Sequence, residues 1–267
     1  MLHILIPTRN NPKALGSLLA SFLSQGLQRQ HIVIHIADAS DKPIIMDQHV
    51  SRLLPAFRFA YRHNIIPDVN RQRLQVLAEL PEGDPVLSID DDLVITEGYK
   101  DALYTCVPLL NARPCIFGVT VDLTNERGYP DYRHLSKEVS THAFSCSTPH
   151  LPQLEECAEA ESFSATVGHM LCHAGSFYKV LSHVYKKLAG KPAAVIDDCA
   201  ATVLARLHGG CVGMNLRAWH LGNDNSWWSP WETKRHAVDK LAAEVLSELT
   251  DQPANLLDIT EQRNRPT

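Results

Sequence analysis

The sequence predicts an α/β protein, a mostly parallel Rossmann-like sheet flanked by helices, in a single domain whose second half is irregular. Three observations carry this. Short apolar runs of strand length, His3–Ile6, Ile32–Ala37 and Val86–Ile89, alternate with helical stretches in the first part of the chain. Those runs end in polar or acidic residues, as strands do where a parallel sheet meets its ligand edge. The chain of 267 residues, 45% apolar, can bury the core such a sheet needs.

His3 to Ile6 reads as a buried first strand and Pro7-Thr8-Arg9-Asn10 as the loop leaving it. Asn11 is an N-cap candidate with Pro12 at the first helical position. Leu15, Leu18, Leu19, Phe22 and Leu23 then form a helical stripe closed by Gly26. Ile32 to Ala37 is a second strand ending at Asp38-Ala39-Ser40-Asp41, and alternation over Phe57, Phe59 and Tyr61 predicts a short third. Pro67 opens a helix carrying Arg71 and Arg73, with Leu74, Leu77 and Ala78 on its buried side. After the turn Pro81–Asp84 comes the strand that ends in Asp90-Asp91-Asp92. Thr96 to Leu110 reads as helix and Cys115 to Val121 as strand, whereas 125–161 is polar and without clear period, in the manner of a substrate-facing loop. A helix through Phe177, Val184 and Leu188 stops at Gly190 and Pro192. Val195-Ile196-Asp197-Asp198 leads into another through Leu207, and Val212 to Trp219 forms a strand reaching His220. Ser229-Pro230-Trp231-Glu232 is a capping box for a final helix, after which 251–267 is a polar tail.

Composition excludes several classes. A net charge of −5 with no Lys/Arg cluster gives no footprint for nucleic acid. No apolar run approaches the roughly 20 residues of a transmembrane helix, and the N-terminus lacks the pattern of a signal peptide. Seven cysteines without a CxxC pair read as reduced thiols of a cytoplasmic protein.

Chemistry concentrates in the acidic triplet. Two like charges roughly 4 Å apart cost on the order of 4 kcal/mol at an effective dielectric near 20, so three in a row need an offset. A divalent cation with oxygen ligands supplies one, and raised pKa values another. A solvated turn with one Asp as N-cap is the plain alternative. Asp197-Asp198 likewise offers either a general base or a cap for its helix. His220, a lone histidine after a strand, reads as structural on its own. Trp227, Trp228 and Trp231 suit a helix staple and packing, or stacking on a sugar.

The order Arg71, Ala78, Gly83-Asp84, Asp90-Asp91-Asp92 resembles glycosyltransferase family 2, where a helix Arg precedes an Ala, a Gly-Asp turn and an acidic DxD motif. Ile4–Asn10, the helix after it and Asp38–Asp41 are similar to the same family, so the resemblance covers roughly residues 1–100. It implies a GT-A fold, a nucleotide-sugar donor, a UDP-sugar above all, and Mn²⁺ or Mg²⁺. By position, Pro7, Thr8 and Arg9 lie by the nucleotide, Asp38 faces the base, Arg71 approaches the diphosphate or base, and Asp90 contacts the ribose. Asp91 helps shape the turn, and Asp92 ligates the metal with His220. Asp197-Asp198, the amphipathic helix after them and Gly209-Gly210 match the family's acidic pair, in which the second acid, Asp198, is the base of inverting members. The chain departs from the pattern at Ala37-Asp38-Ala39-Ser40 and at Gln72, where the family has two acids before Gly-Ser and an Asn.

A more distant resemblance, to exostosin-type transferases, rests on Ser88–Asp92, Ala174–Tyr178 and Asp197–Ala200; those enzymes retain anomeric configuration. The expected organisation is a nucleotide-sugar-binding half over 1–110 and an acceptor-binding half over 111–250, the acceptor being an unspecified hydroxyl. Two other readings compete. A haloacid-dehalogenase-like phosphohydrolase is suggested by Asp90–Val94, though its nucleophile belongs on the first strand. A non-catalytic nucleotide-sugar-binding module would need the triplet but not Asp198.

Overall fold

The computed structural model describes residues 1–28, 31–63, 66–113, 115–122, 167–208, 211–221 and 231–251. In chain order these form β1 (Leu2–Thr8), α1 (Pro12–Ser24), β2 (Ile32–Asp38), α2 (Gln48–Ser51), β3 (Phe59–His63), α3 (Val69–Leu77), β4 (Pro85–Ile89), β5 (Leu93–Ile95) and α4 (Tyr99–Cys106). Then follow β6 (Cys115–Asp122), β7 (His169–His173), α5 (Ala174–Lys187), α6 (Ala193–His208), β8 (Cys211–His220) and α7 (Trp231–Asp251). Short 3-10 turns occupy Ile44–Met46, Leu54–Ala56 and Val107–Asn111.

The strands form one eight-stranded sheet in the order β3-β2-β1-β4-β7-β6-β8-β5. Strands β3, β2, β1 and β4 run parallel, and β6 is parallel to β8. Strand β7 is antiparallel to both β4 and β6, and β5 is antiparallel to β8. The parallel α/β half is therefore as predicted, and the reversed strands are β7, in the irregular half, and the three-residue β5 just after the acidic triplet. Every residue of β1 and β2 is buried, as strands covered on both faces require. Period-2 alternation divides them: Ile4, Ile6, Ile34 and Ile36 join the core under α1 and α4, while Leu5, Ala37 and Val86 join the core with α5, α6 and α7.

Several boundaries differ from the expectation. Pro7 and Thr8 belong to β1, because that strand stays paired with β2 as far as Thr8–Asp38. Strand β3 starts at Phe59, since the 3-10 turn at Leu54–Ala56 takes up the preceding residues. Asp68, not Pro67, caps α3, accepting from the N–H groups of Asn70 and Arg71, and Ala78 is exposed at the helix end. Leu23 is exposed on α1, and Asn11 occupies the N-cap of that helix without a side-chain cap bond. Strands β5 and β7, three and five residues long, carry too short a pattern to be read from sequence. The expected loop at 125–161, the tryptophans Trp227 and Trp228 and the cap at Ser229 lie outside the described residues. Among the described residues no helix is long and apolar enough to cross a membrane.

One packing detail fixes the strand beside β4. His169 of β7 is buried against Gly118 of β6, where any Cβ would lie 2.2 Å from the ring, and the Tyr99 hydroxyl stands 2.7 Å from its Nε2. Burial pushes the His169 pKa down to about 3 from an ordinary 6.5. The unfolded chain thus binds this proton below about pH 6.5 and the folded chain does not, so the neutral ring's contribution is full above pH 6.5 and is lost as pH falls toward 3. From pH 7 to pH 5 this costs about 2 kcal/mol. Urea midpoints at the two pH values should show the loss, and His169→Phe should flatten it; an unchanged pH slope in that variant would refute the assignment.

Candidate active site

The site is built at the carboxyl ends of β1, β2 and β4, where main-chain groups released by the sheet meet the acidic residues of the loops. Asp91 faces back toward β1. Its Oδ2 accepts from the Thr8 hydroxyl at 2.5 Å and its Oδ1 from the Asn11 amide at 3.3 Å. Burial pushes the Asp91 carboxyl up to about 7, opposed by the Thr8 hydrogen bond and reinforced by the neighbouring Asp92 and Asp90. Its connection to β1 fixes the turn after β4 to the loop that opens α1.

The β1 and β2 loops are laced together. The Asn10 N–H donates to Ser40 Oγ at 2.7 Å, its side-chain amide donates to Asp41 at 3.0 Å, and the Asp41 N–H returns a bond to Asn10 Oδ1 at 3.0 Å. Asn10 holds φ at 52°, a left-handed conformation that Asn tolerates better than most residues. Asp38 has no exposure. Its carboxylate accepts from the N–H groups of Ser40 and Ile44, both at 2.8 Å, and from the Tyr61 hydroxyl at 2.7 Å. It shapes the loop from within and, as it stands, presents no surface to a ligand. Gln72, buried on α3, donates to the carbonyls of Thr8 at 3.1 Å and Ala37 at 2.6 Å, tying the helix to both strand ends. Pro7 is buried in β1, whereas Arg9 and Arg71 are exposed.

Asp90 and the acid pair of α6 meet through a buried cation. Arg73, 1% exposed, donates Nη2 to Asp90 at 2.9 Å and Nη1 to Asp197 at 2.7 Å. Asp90 keeps 44% of its side chain exposed, and its N–H donates to the Gly168 carbonyl at 2.9 Å. A Cβ on Gly168 would lie 2.1 Å from the Asp90 carboxylate, so the absence of a side chain there lets the acid in. Asp197 and Asp198, both buried, lie inside α6 and not at its cap. Pro192 ends the preceding turn and its carbonyl accepts from Val195 and Ile196, which starts the helix before the acids are reached. Burial pushes the Asp197 carboxyl up to about 7, with Arg73 pulling the other way. The Asp198 carbonyl takes the Thr202 hydroxyl at 2.7 Å.

Asp92 and His220 come together through the register of β5 on β8, which sets Leu93 opposite His220. The Leu221 N–H donates to the Asp92 carbonyl at 2.9 Å, and the Asp92 carboxylate lies 3.1 Å from His220 Nε2. Among the described residues no three carboxylate, imidazole or thiol groups form a ready metal cage. One carboxylate and one imidazole at this separation nonetheless fit a divalent ion that completes its shell from a bound ligand and water, with a donor set suited to Mn²⁺. Arg73, Gly168 and Gln72 were absent from the expected site. Arg73 had a signal, because it falls on the same helical face as Val76 and Leu77, at spacings of three and four.

Comparison with known proteins places this architecture in a class. No family model and no curated protein matches the chain in sequence. Solved structures match it in fold. Residues 1–349 of TarS from S. aureus superpose with a TM-score of 0.55 at 15% identity, over 99% of this chain and 72% of that one. The same TarS segment in complex with UDP-GlcNAc gives 0.55 at 13%, over 93% and 71%. The mannosyltransferase PcManGT from Pyrobaculum calidifontis, in complex with GDP-Man and Mn²⁺, gives 0.53 at 13%, over 98% and 79%. The chain has the GT-A glycosyltransferase fold. In it the acidic triplet follows the fourth strand in sequence, not the first as a haloacid-dehalogenase nucleophile would.

Proposed function

We propose that the chain is a glycosyltransferase that moves a sugar from a nucleotide-sugar donor, a UDP-sugar above all, to an acceptor hydroxyl. The observation that carries this is the meeting of two acidic groups, Asp90–Asp92 after β4 and Asp197–Asp198 on α6, at one edge of a GT-A sheet through Arg73. Similar folds have been solved with UDP-GlcNAc and with GDP-Man and Mn²⁺, which supports the donor class.

The roles divide by position. Pro7, Thr8 and Arg9 border the nucleotide, and Asp38 acts on the base through the loop whose N–H groups it holds. Arg71, exposed at the start of α3, reaches the diphosphate or base. Asp90, half open, takes a ribose hydroxyl, and Asp91 keeps the turn in register. Asp92 and His220 would hold Mn²⁺ or Mg²⁺, which when bound neutralises charge on the leaving diphosphate. In an inverting reaction Asp198 removes the proton of the acceptor hydroxyl as its oxygen attacks the anomeric carbon and the bond to phosphate breaks. Residues 1–110 then form the donor-binding half and 111–250 the acceptor-binding half. A cytoplasmic setting agrees with seven cysteines that include no CxxC pair.

A thermal-shift panel of UDP- and GDP-sugars, with and without Mn²⁺, tests the reading. A donor at about 100 times its Kd adds roughly 2.7 kcal/mol to the folded state, so one nucleotide sugar should raise Tm in a metal-dependent way. No shift with any donor, with the metal present, would overturn it.

A further inference from the structure

We propose that Arg73 is a positioning residue, a buried joint that holds Asp90 at the donor edge and Asp197 of α6 in one fixed frame. The assignment of roles rests on the transferase reading; the joint itself rests on geometry. Arg73 spans partners 17 and 124 residues away in sequence, so one side chain links the early strand β4 to the late helix α6. Its own helix is anchored independently. Asp68 caps it and takes the Tyr185 hydroxyl of α5 at 2.6 Å, Gln72 holds the ends of β1 and β2, and the Asn70 amide donates to the Ala193 carbonyl at the start of α6, at 3.1 Å. The guanidinium therefore projects from a fixed base.

Stability is a poor reason for this cluster. One guanidinium faces two carboxylates, with Asp198 adding a third negative field, and Arg73 Nε and Asp197 Oδ1 are both buried without a bond. Partly satisfied buried ion networks are commonly no more stable than apolar packing of the same volume. This one stands where the sheet meets the acid pair, and what it provides is position. Asp197 Oδ2 accepts from Arg73, which makes Asp197 the anchor of α6 and leaves proton removal to Asp198.

Arg73→Lys keeps the charge but loses the fork that reaches two acids. Three measurements read the joint. First, hydrogen exchange without ligand should accelerate in the first two turns of α6 in R73K, with β1 and β2 unchanged. Second, release of nucleoside diphosphate from the stabilising donor, with water as acceptor, should fall about 10- to 100-fold while donor affinity changes by less than about 3-fold, because misplacement costs turnover before binding. Third, Arg73→Ala should regain turnover in millimolar guanidinium that leaves the wild type unaffected, and R73K/D197N should be no slower than R73K, since both changes cut one interaction. Unaltered α6 exchange in R73K overturns the joint whether or not any donor binds. Wild-type turnover in R73K, with no guanidinium response in R73A, overturns its role in the reaction. Failure of every donor to stabilise the wild type counts against the transferase reading alone, because the exchange measurement still decides the joint.

Discussion

Asp92→Asn is expected to abolish metal-dependent binding of the nucleotide sugar while the protein stays folded. The substitution keeps size and shape, so the β5–β8 register and the Leu221 bond to the Asp92 carbonyl survive. What goes is the anionic member of the proposed metal pair, whose other member, His220, lies 3.1 Å away. Losing even an outer-shell partner of a metal ligand typically costs 10- to 100-fold in affinity, so loss of a ligand itself should exceed about 100-fold. The Tm rise given by donor plus Mn²⁺ should then vanish at concentrations that saturate the wild type. The Asn amide can still hydrogen-bond His220 at the same place, so the unliganded protein should remain folded. Calorimetric titration with Mn²⁺ and donor checks both parts. A variant that binds as tightly as the wild type removes Asp92 from the metal site.

Asp198→Asn should leave donor binding intact and lower turnover to an acceptor by about 10²- to 10⁴-fold, the usual worth of a positioned general base. The residue is 5% exposed inside α6, and the isosteric amide retains the Thr202 bond to its carbonyl. A fall in kcat with an unchanged donor Kd is the signature of a group that acts only as the reaction proceeds. Full turnover in D198N would transfer the proton to another group. If no acceptor or water supports turnover even in the wild type, the chain is a binding module and Asp198 a packing residue.

Much of the acidic edge of the sheet was legible in the sequence because it rests on local patterns. Apolar runs of strand length stop at Pro7, Asp38 and Asp90–Asp92, and the parallel order brings those ends to one edge. Two things were not legible. Side-chain direction within a loop depends on tertiary partners, so Asp38 reads as a ligand contact although its three bonds turn it inward. Antiparallel strands with long return paths, such as β7, leave no short-range signature, and Gly168, which admits Asp90, is set only by that pairing. Arg73 lies between these cases. Its place on an apolar helical face could be read, but its partners could not, since Asp197 lies 124 residues away.

The lacing of Asn10 to Ser40 and Asp41, and of Asp38 to its own loop, bears on selectivity. On the transferase reading, a mould set before the donor arrives chooses its base by exclusion. A base that displaces these loops must break the Asn10–Asp41 pair or the bonds of Asp38, each worth about 0.5–1.5 kcal/mol net. Two or three such bonds broken together amount to roughly a tenfold to thousandfold preference without a single specific contact to the base.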